Sequence, residues 1–147
     1  MATPTILVPI DFSKSSTHAL EQAAELAQQL SAKLVLFHSY YVDVSQAPKL
    51  YWVVPPDFLE TLRQTTSAEL EKLAKHAIMA GVPWECSMSA EPAVPAILAL
   101  AESLPAHMIV MGTRGNTGLK HVVLGSTAER IVRLAPCPVL TVKERTS

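Results

Sequence analysis

The stretch that decides the fold is Met108-Ile109-Val110-Met111-Gly112-Thr113-Arg114-Gly115-Asn116-Thr117-Gly118-Leu119-Lys120-His121-Val122-Val123-Leu124-Gly125-Ser126-Thr127. It opens on a short apolar run, Met108 to Met111, that reads as a buried strand. A glycine-rich loop follows from Gly112 to Gly125. Ser126 then begins a helix that runs to Ala135 and is stopped by Pro136 and Pro138. An apolar strand, a loop and then a helix make up the repeating unit of a parallel α/β sheet.

The same unit recurs outward from this stretch. Val139 to Val142 is a last strand. Upstream, Ile6 to Ile10 is an apolar opening strand ended by Asp11, and Ser13 to Thr17 offers several helix N-caps. Leu20, Ala23, Ala24, Ala27 and Leu30 follow at helical spacing. Leu34 to Phe37 is a second strand, continuing towards His38 and Ser39. From Tyr40 to Asp57 the pattern breaks around Pro48, Pro55 and Pro56. This loop reads as a lid, a contact surface or a cover for one side of the core.

A long helix comes next, its apolar stripe formed by Leu59, Leu62, Leu70, Leu73, Ala77 and Ile78, with Gly81 as its stop. Trp84 to Ser89 is a third strand. Pro92 fits the first turn of a helix that buries Val94, Ile97, Leu98 and Ala101. Strict alternation of strand and helix, with right-handed crossovers, predicts a doubly wound, Rossmann-like parallel sheet with helices on both faces.

Composition agrees. At 147 residues, one domain spanning 1–147 is expected, and 49% apolar content is enough for a packed core. Only 5% of residues are aromatic, so the core must be built from small and branched side chains. The net charge of -1 gives no reason to expect nucleic acid or an anionic membrane as partner. No apolar run approaches the ~20 residues of a spanning helix. Met1 to Thr5 has no basic leader, and Cys86 and Cys137 form no CxxC pair. The expected setting is a reducing cytoplasm.

The loop carries the candidate chemistry. It begins where a parallel strand ends, and ligands of doubly wound sheets bind beyond strand carboxyl ends. It ends at a helix N-terminus, which offers N–H groups and partial positive charge. Gly112, Gly115 and Gly125 could let backbone amides approach phosphate, with Ser126 and Thr127 adding hydroxyls and Arg114 and Lys120 charge. Alternatively, the glycines only satisfy turns. The spacing fits neither GxxxxGK[ST] nor GxGxxG.

At these residues the chain resembles the universal stress protein family, whose ATP-binding members carry G-x2-G-x9-G-[ST]. Gly112, Gly115, Gly125 and Ser126 match that spacing. The resemblance covers the whole chain, including Val8-Pro9-Ile10-Asp11-Phe12-Ser13, Phe37-His38-Ser39 and Ala135-Pro136-Cys137-Pro138-Val139-Leu140.

It implies a five-stranded sheet of order 3-2-1-4-5, bound ATP with or without Mg²⁺, and a homodimer through Val139 to Val142. The implied nucleotide-binding residues are Pro9, Ile10, Asp11, Ser39, Met111, Gly112, Thr113, Arg114, Gly115, Asn116, Thr117, Gly118, Gly125, Ser126, Thr127 and Ala128. Asp11 would approach the adenosine and Ser39 the adenine edge. The loop from Gly112 to Gly118 would wrap ribose and phosphates. The chain departs from the family pattern at Ala90-Glu91-Pro92, where Gly-x-Pro is common, and at His107, where Asp is common.

Other residues add little. Asp11 also reads as a cap for the following helix. The five histidines form no HxxxH or HExxH pair, so no zinc site is expected. No GxSxG elbow and no general base placed for hydrolysis is evident. The expected function is regulatory nucleotide binding in stress response, with an unidentified protein partner. The alternatives are a nucleotide-free dimerisation module and a slow Mg²⁺-dependent ATPase.

Overall fold

Strand β1 (Thr5–Pro9) lies at the centre of the molecule, and its Ile6, Leu7 and Val8 are all fully buried. A strand whose successive side chains are all buried must be covered on both faces, which explains its lack of alternation. The computed structural model describes residues 2–42, 55–114 and 124–144. Their elements run β1, α1 (Lys14–Leu30), β2 (Lys33–Ser39), α2 (Phe58–Ala77), β3 (Trp84–Ser89), α3 (Ala93–Ser103), β4 (Met108–Gly112), α4 (Ser126–Leu134) and β5 (Val139–Val142). The sheet order is β3-β2-β1-β4-β5 and every pairing is parallel. This is the doubly wound, Rossmann-like arrangement expected from the sequence.

Side-chain alternation divides the core. Ile6, Val8, Leu34, Leu36 and Val110 face α1 and α2, packing on Leu20, Ala23, Ala24, Leu70 and Ala74. Leu7, Val35, Phe37, Ile109 and Met111 face α3 and α4, packing on Val94, Ile97, Ala101, Ala128 and Ile131. The alanines of α1 let that helix approach the sheet closely.

Helix starts and stops follow local chemistry. Ser13 caps α1, its Oγ accepting the Ser16 N–H at 3.1 Å. At the other end Ser31 takes the left-handed conformation, φ 54°, and the Ala32 N–H returns to the Ala27 carbonyl at 2.9 Å.

Several local expectations need correction. The apolar stripe of α2 is not buried along its length: Leu59 is 46% exposed, and burial is confined to Thr66, Leu70 and Ala74. The buried residues of α2 all lie from Thr66 onward. Gly81 does not stop α2, which ends at Ala77 with Ile78 extended. Gly81 instead supplies the positive φ, 94°, of the turn into β3. Pro92 is the N-cap of α3 rather than part of its first turn, and Ala96 is buried where Leu98 is only half-buried. Most of the proline-containing loop, residues 43–54, lies outside the described residues.

Candidate functional site

The chain runs from β1 outward through β2 to β3, then returns to place β4 against β1. The direction of winding reverses between β1 and β4. Their pairing is short, Ile6 with Met108 and Leu7 with Ile109. Beyond it a crevice opens at the carboxyl end of the sheet. Pro9 sits at this point for a physical reason. The Ile10 N–H bonds the Phe37 carbonyl at 2.7 Å on the β2 side. The Pro9 nitrogen, one residue earlier, therefore faces the β4 side, where the missing donor breaks no ladder bond.

The crevice widens into a hollow of about 280 Å³. Its apolar lining is Ile10, Phe37, Ala93, Ile97, Met111 and Ala128. Its polar lining is Asp11, Ser16, His38 and Ser39 from the β1, α1 and β2 segments and Thr113, Arg114, Ser126 and Thr127 from the β4 and α4 segments. Pro9, Gly112 and Gly125 complete the described lining. Thus every sequence-predicted site residue that is described lines one hollow. Gly115, Asn116, Thr117 and Gly118 lie outside the described residues.

The β1 side is held by a short hydrogen-bond network. Asp11 Oδ1 accepts the Ser13 N–H at 2.9 Å and also the Ser13 hydroxyl. The Asp11 N–H donates to Ser16 Oγ at 3.3 Å. Asp11 is therefore not the cap of α1. Ser13 is, and Asp11 holds the cap. Phe12 is forced to φ 63°, a left-handed value uncommon for a bulky residue. Ser39 Oγ donates to the Glu91 carbonyl at 2.6 Å, tying the end of β2 to the approach to α3.

On the β4 side the structure assigns the glycines and amides different work from the sequence reading. A Cβ on Gly112 would meet Ser15 Oγ at 2.2 Å, so this glycine serves the close approach of α1. The Thr113 N–H bonds the Val142 carbonyl at 3.2 Å, and the Gly125 N–H bonds the Thr113 carbonyl at 2.6 Å. The Arg114 N–H reaches Ser15 Oγ at 3.4 Å. These amides are already engaged. The first N–H groups of α4, on Ser126, Thr127 and Ala128, lack intrahelical partners by the geometry of a helix start. They are the donors at this end of the hollow, reinforced by the helix dipole. Arg114 is the only Lys or Arg side chain among the described lining residues.

Sequence reasoning missed Ser16, Phe37, His38, Ala93 and Ile97 as lining residues, His38 reading only as a polar strand end. Ala93 and Ile97 begin the helix that follows β3. The rule that ligands sit beyond strand carboxyl ends points to such a position once the strand order is known. The two cysteines lie elsewhere and are free. Burial, with Glu71 and Glu85 nearby, pushes the Cys86 thiol up to about 11, and burial also raises Cys137. Among the described residues no group of three His, Cys, Asp or Glu could hold a metal ion. No helix there is long and apolar enough to cross a membrane.

A parallel sheet wound in both directions, with a hollow over its switch point, defines a doubly wound α/β protein with a cavity at its strand ends. The chain belongs to the universal stress protein family, whose model matches residues 3–143. It is 36% identical over 143 residues to universal stress protein MJ0531 of Methanocaldococcus jannaschii, covering 95% of this chain and 81% of that one.

Among solved structures it is similar to protein MJ0577 of the same organism, with TM-score 0.82, 24% identity and full coverage of both chains. A universal stress protein in complex with cAMP matches with TM-score 0.69 and 24% identity over 99% of this chain and 100% of that one. One from Archaeoglobus fulgidus in complex with dAMP matches with TM-score 0.65 and 18% identity over 97% and 98%. At these identities the structural likeness speaks for the fold.

Proposed function

We propose that the chain binds an adenine nucleotide, ATP first among them, in the hollow over the carboxyl ends of β1 and β4, as one nucleotide-binding unit spanning residues 1–147. The observation that carries this reading is the polarity of the hollow. Its lining combines apolar side chains with one carboxylate, and its β4 side meets the open amides of α4 beside Arg114. A nucleotide has the matching sequence of parts. The flat base suits Ile10, Phe37 and Ile97, with Ser39 near its edge. The ribose hydroxyls suit Asp11. The phosphates suit Ser126, Thr127, Ala128 and Arg114. Gly115, Asn116, Thr117 and Gly118, by their place in the family motif, would complete the phosphate wrap. The cAMP and dAMP complexes of relatives support an adenine nucleotide as the ligand class.

Magnesium would arrive on the triphosphate rather than in a protein cage, since Mg²⁺ commonly binds through phosphates and few carboxylates. Asp11 is the carboxylate of the described lining that could meet it. The role is regulatory. Nucleotide binds two conformations with different affinity and shifts their populations, altering a surface that a partner protein reads in the cytoplasm. A homodimer through β5 is part of the proposal, because an edge strand presents unpaired backbone groups that a second copy can satisfy.

Calorimetric titration with ATP, GTP and adenosine tests this reading. The expected order is ATP tightest, adenosine weaker through loss of the phosphate contacts, and GTP weakest. Equal affinity for ATP and GTP, or no heat at millimolar ATP, contradicts it.

A further inference from the structure

Asp11 is placed by its two chain neighbours, and both of them rest on one imidazole. On one side, His38 Nδ1 lies 2.7 Å from the Ile10 carbonyl. A carbonyl can only accept, so Nδ1 carries the proton and donates. On the other side, the Phe12 and His38 rings meet with centroids 4.8 Å apart and planes tilted by 55°. Phe12 holds a φ of 63°, a conformation that persists for such a residue only when its surroundings impose it. The Phe37 carbonyl meanwhile accepts the Ile10 N–H at 2.7 Å. Consecutive residues of β2 therefore fix the amide and the carbonyl of Ile10, and the second of them also braces Phe12. The left-handed turn at Phe12 brings Ser13 back to close on Asp11 Oδ1 at 2.9 Å.

We propose that His38 is the positioning residue for Asp11, acting through the Ile10 carbonyl and the Phe12 ring, and that it thereby sets the affinity of the hollow for ribose hydroxyls. The inference rests on the nucleotide reading above and names the group that tunes it. His38 works through its neighbours, so its loss should resemble loss of Asp11 and not add to it.

The test compares His38→Ala, His38→Asn and Asp11→Asn with the unaltered protein, titrated with ATP and with an ATP analogue lacking both ribose hydroxyls. Asparagine places an N–H donor near the position of Nδ1. His38→Ala should weaken ATP roughly tenfold, the worth of one well-placed hydrogen bond. The analogue should lose little, and His38→Asn should recover most of the loss. Combining His38→Ala with Asp11→Asn should weaken ATP no further than Asp11→Asn alone. Equal losses for ATP and the analogue, or additive losses, overturn the proposal.

The nucleotide-free protein gives an independent reading. Nitrogen NMR should find the His38 proton on Nδ1. Exchange of the Ser13 amide should speed several-fold in His38→Ala and return towards the original rate in His38→Asn. A proton on Nε2, or unchanged exchange, overturns the positioning role. If the unaltered protein binds no ATP, the nucleotide reading fails while these NMR results still decide the role of His38.

Discussion

Gly112 and Ser15 are in contact to the exclusion of a side chain: a Cβ on the glycine would fall 2.2 Å from Ser15 Oγ and 2.8 Å from the Ser15 carbonyl carbon. Helix α1 therefore rides on the end of β4 at the edge of the hollow. The flexible hydroxyl could swing aside, but the backbone carbon could not. Gly112→Ala should destabilise the fold by ~1–3 kcal/mol, the usual cost of overpacking. Urea unfolding measures this. Ser15→Ala in the same chain should restore only part of the loss, because the backbone clash remains.

Ser13 joins folding to the site. Its Oγ accepts the Ser16 N–H at 3.1 Å, and its hydroxyl and amide both donate to Asp11 Oδ1. Ser13→Ala should cost ~0.5–2 kcal/mol as a lost N-cap, measured by thermal melting. It should also weaken ATP several-fold, because Asp11 loses the Ser13 hydroxyl that donates to its Oδ1. A stability loss with unchanged ATP affinity would separate the cap from the site.

The Cys86 thiol gives a pH dependence with a definite sign. Burial, then Glu71 and Glu85, raise it to about 11. In the unfolded chain the thiol loses its proton at its ordinary, lower value. Below that value neither state is ionised and the group has no effect. As pH rises from there towards about 11, the unfolded state binds fewer protons than the folded one, so stability falls. Cys86→Ala should flatten this alkaline decline in unfolding free energy. Thiol-labelling at pH 8 should be slow for folded protein and fast in denaturant.

Leu140 lies on β5, the edge strand, and is 41% exposed. If a second copy covers that edge, Leu140→Asp should convert a dimer into a folded monomer, halving the mass by light scattering without loss of the circular dichroism spectrum. An unchanged mass would move the interface elsewhere.

The architecture was readable because the strongest sequence signals are local. Ile6 to Val8 and Met108 to Met111 are apolar throughout, and Ser13, Pro92 and Ser126 mark helix starts by their own chemistry. The strand order, by contrast, came from the family resemblance. Part of the site was readable for the same reason: Asp11 and Ser126 sit at strand-to-helix junctions. The rest depends on contacts between distant segments. Nothing in the sequence around Gly112 announces Ser15, and only the fold shows that the glycine admits a helix. Ala93 and Ile97 read as ordinary core residues until α3 is seen to begin beside the crevice. Leu59 misled because its spacing is that of a buried stripe, whereas which turns of a helix are covered is a tertiary property.

Nucleotide binding in the hollow is read residue by residue from the backbone amide shifts of the protein as ATP is added. Changes should concentrate at Ile10, Asp11, Ser39, Arg114, Ser126, Thr127 and Ala128, with the opposite end of the sheet, around Thr5, Lys33 and Met108, unmoved. Saturating ATP that leaves the Ser126 to Ala128 amides unshifted, or that perturbs the opposite end instead, would contradict binding in the hollow.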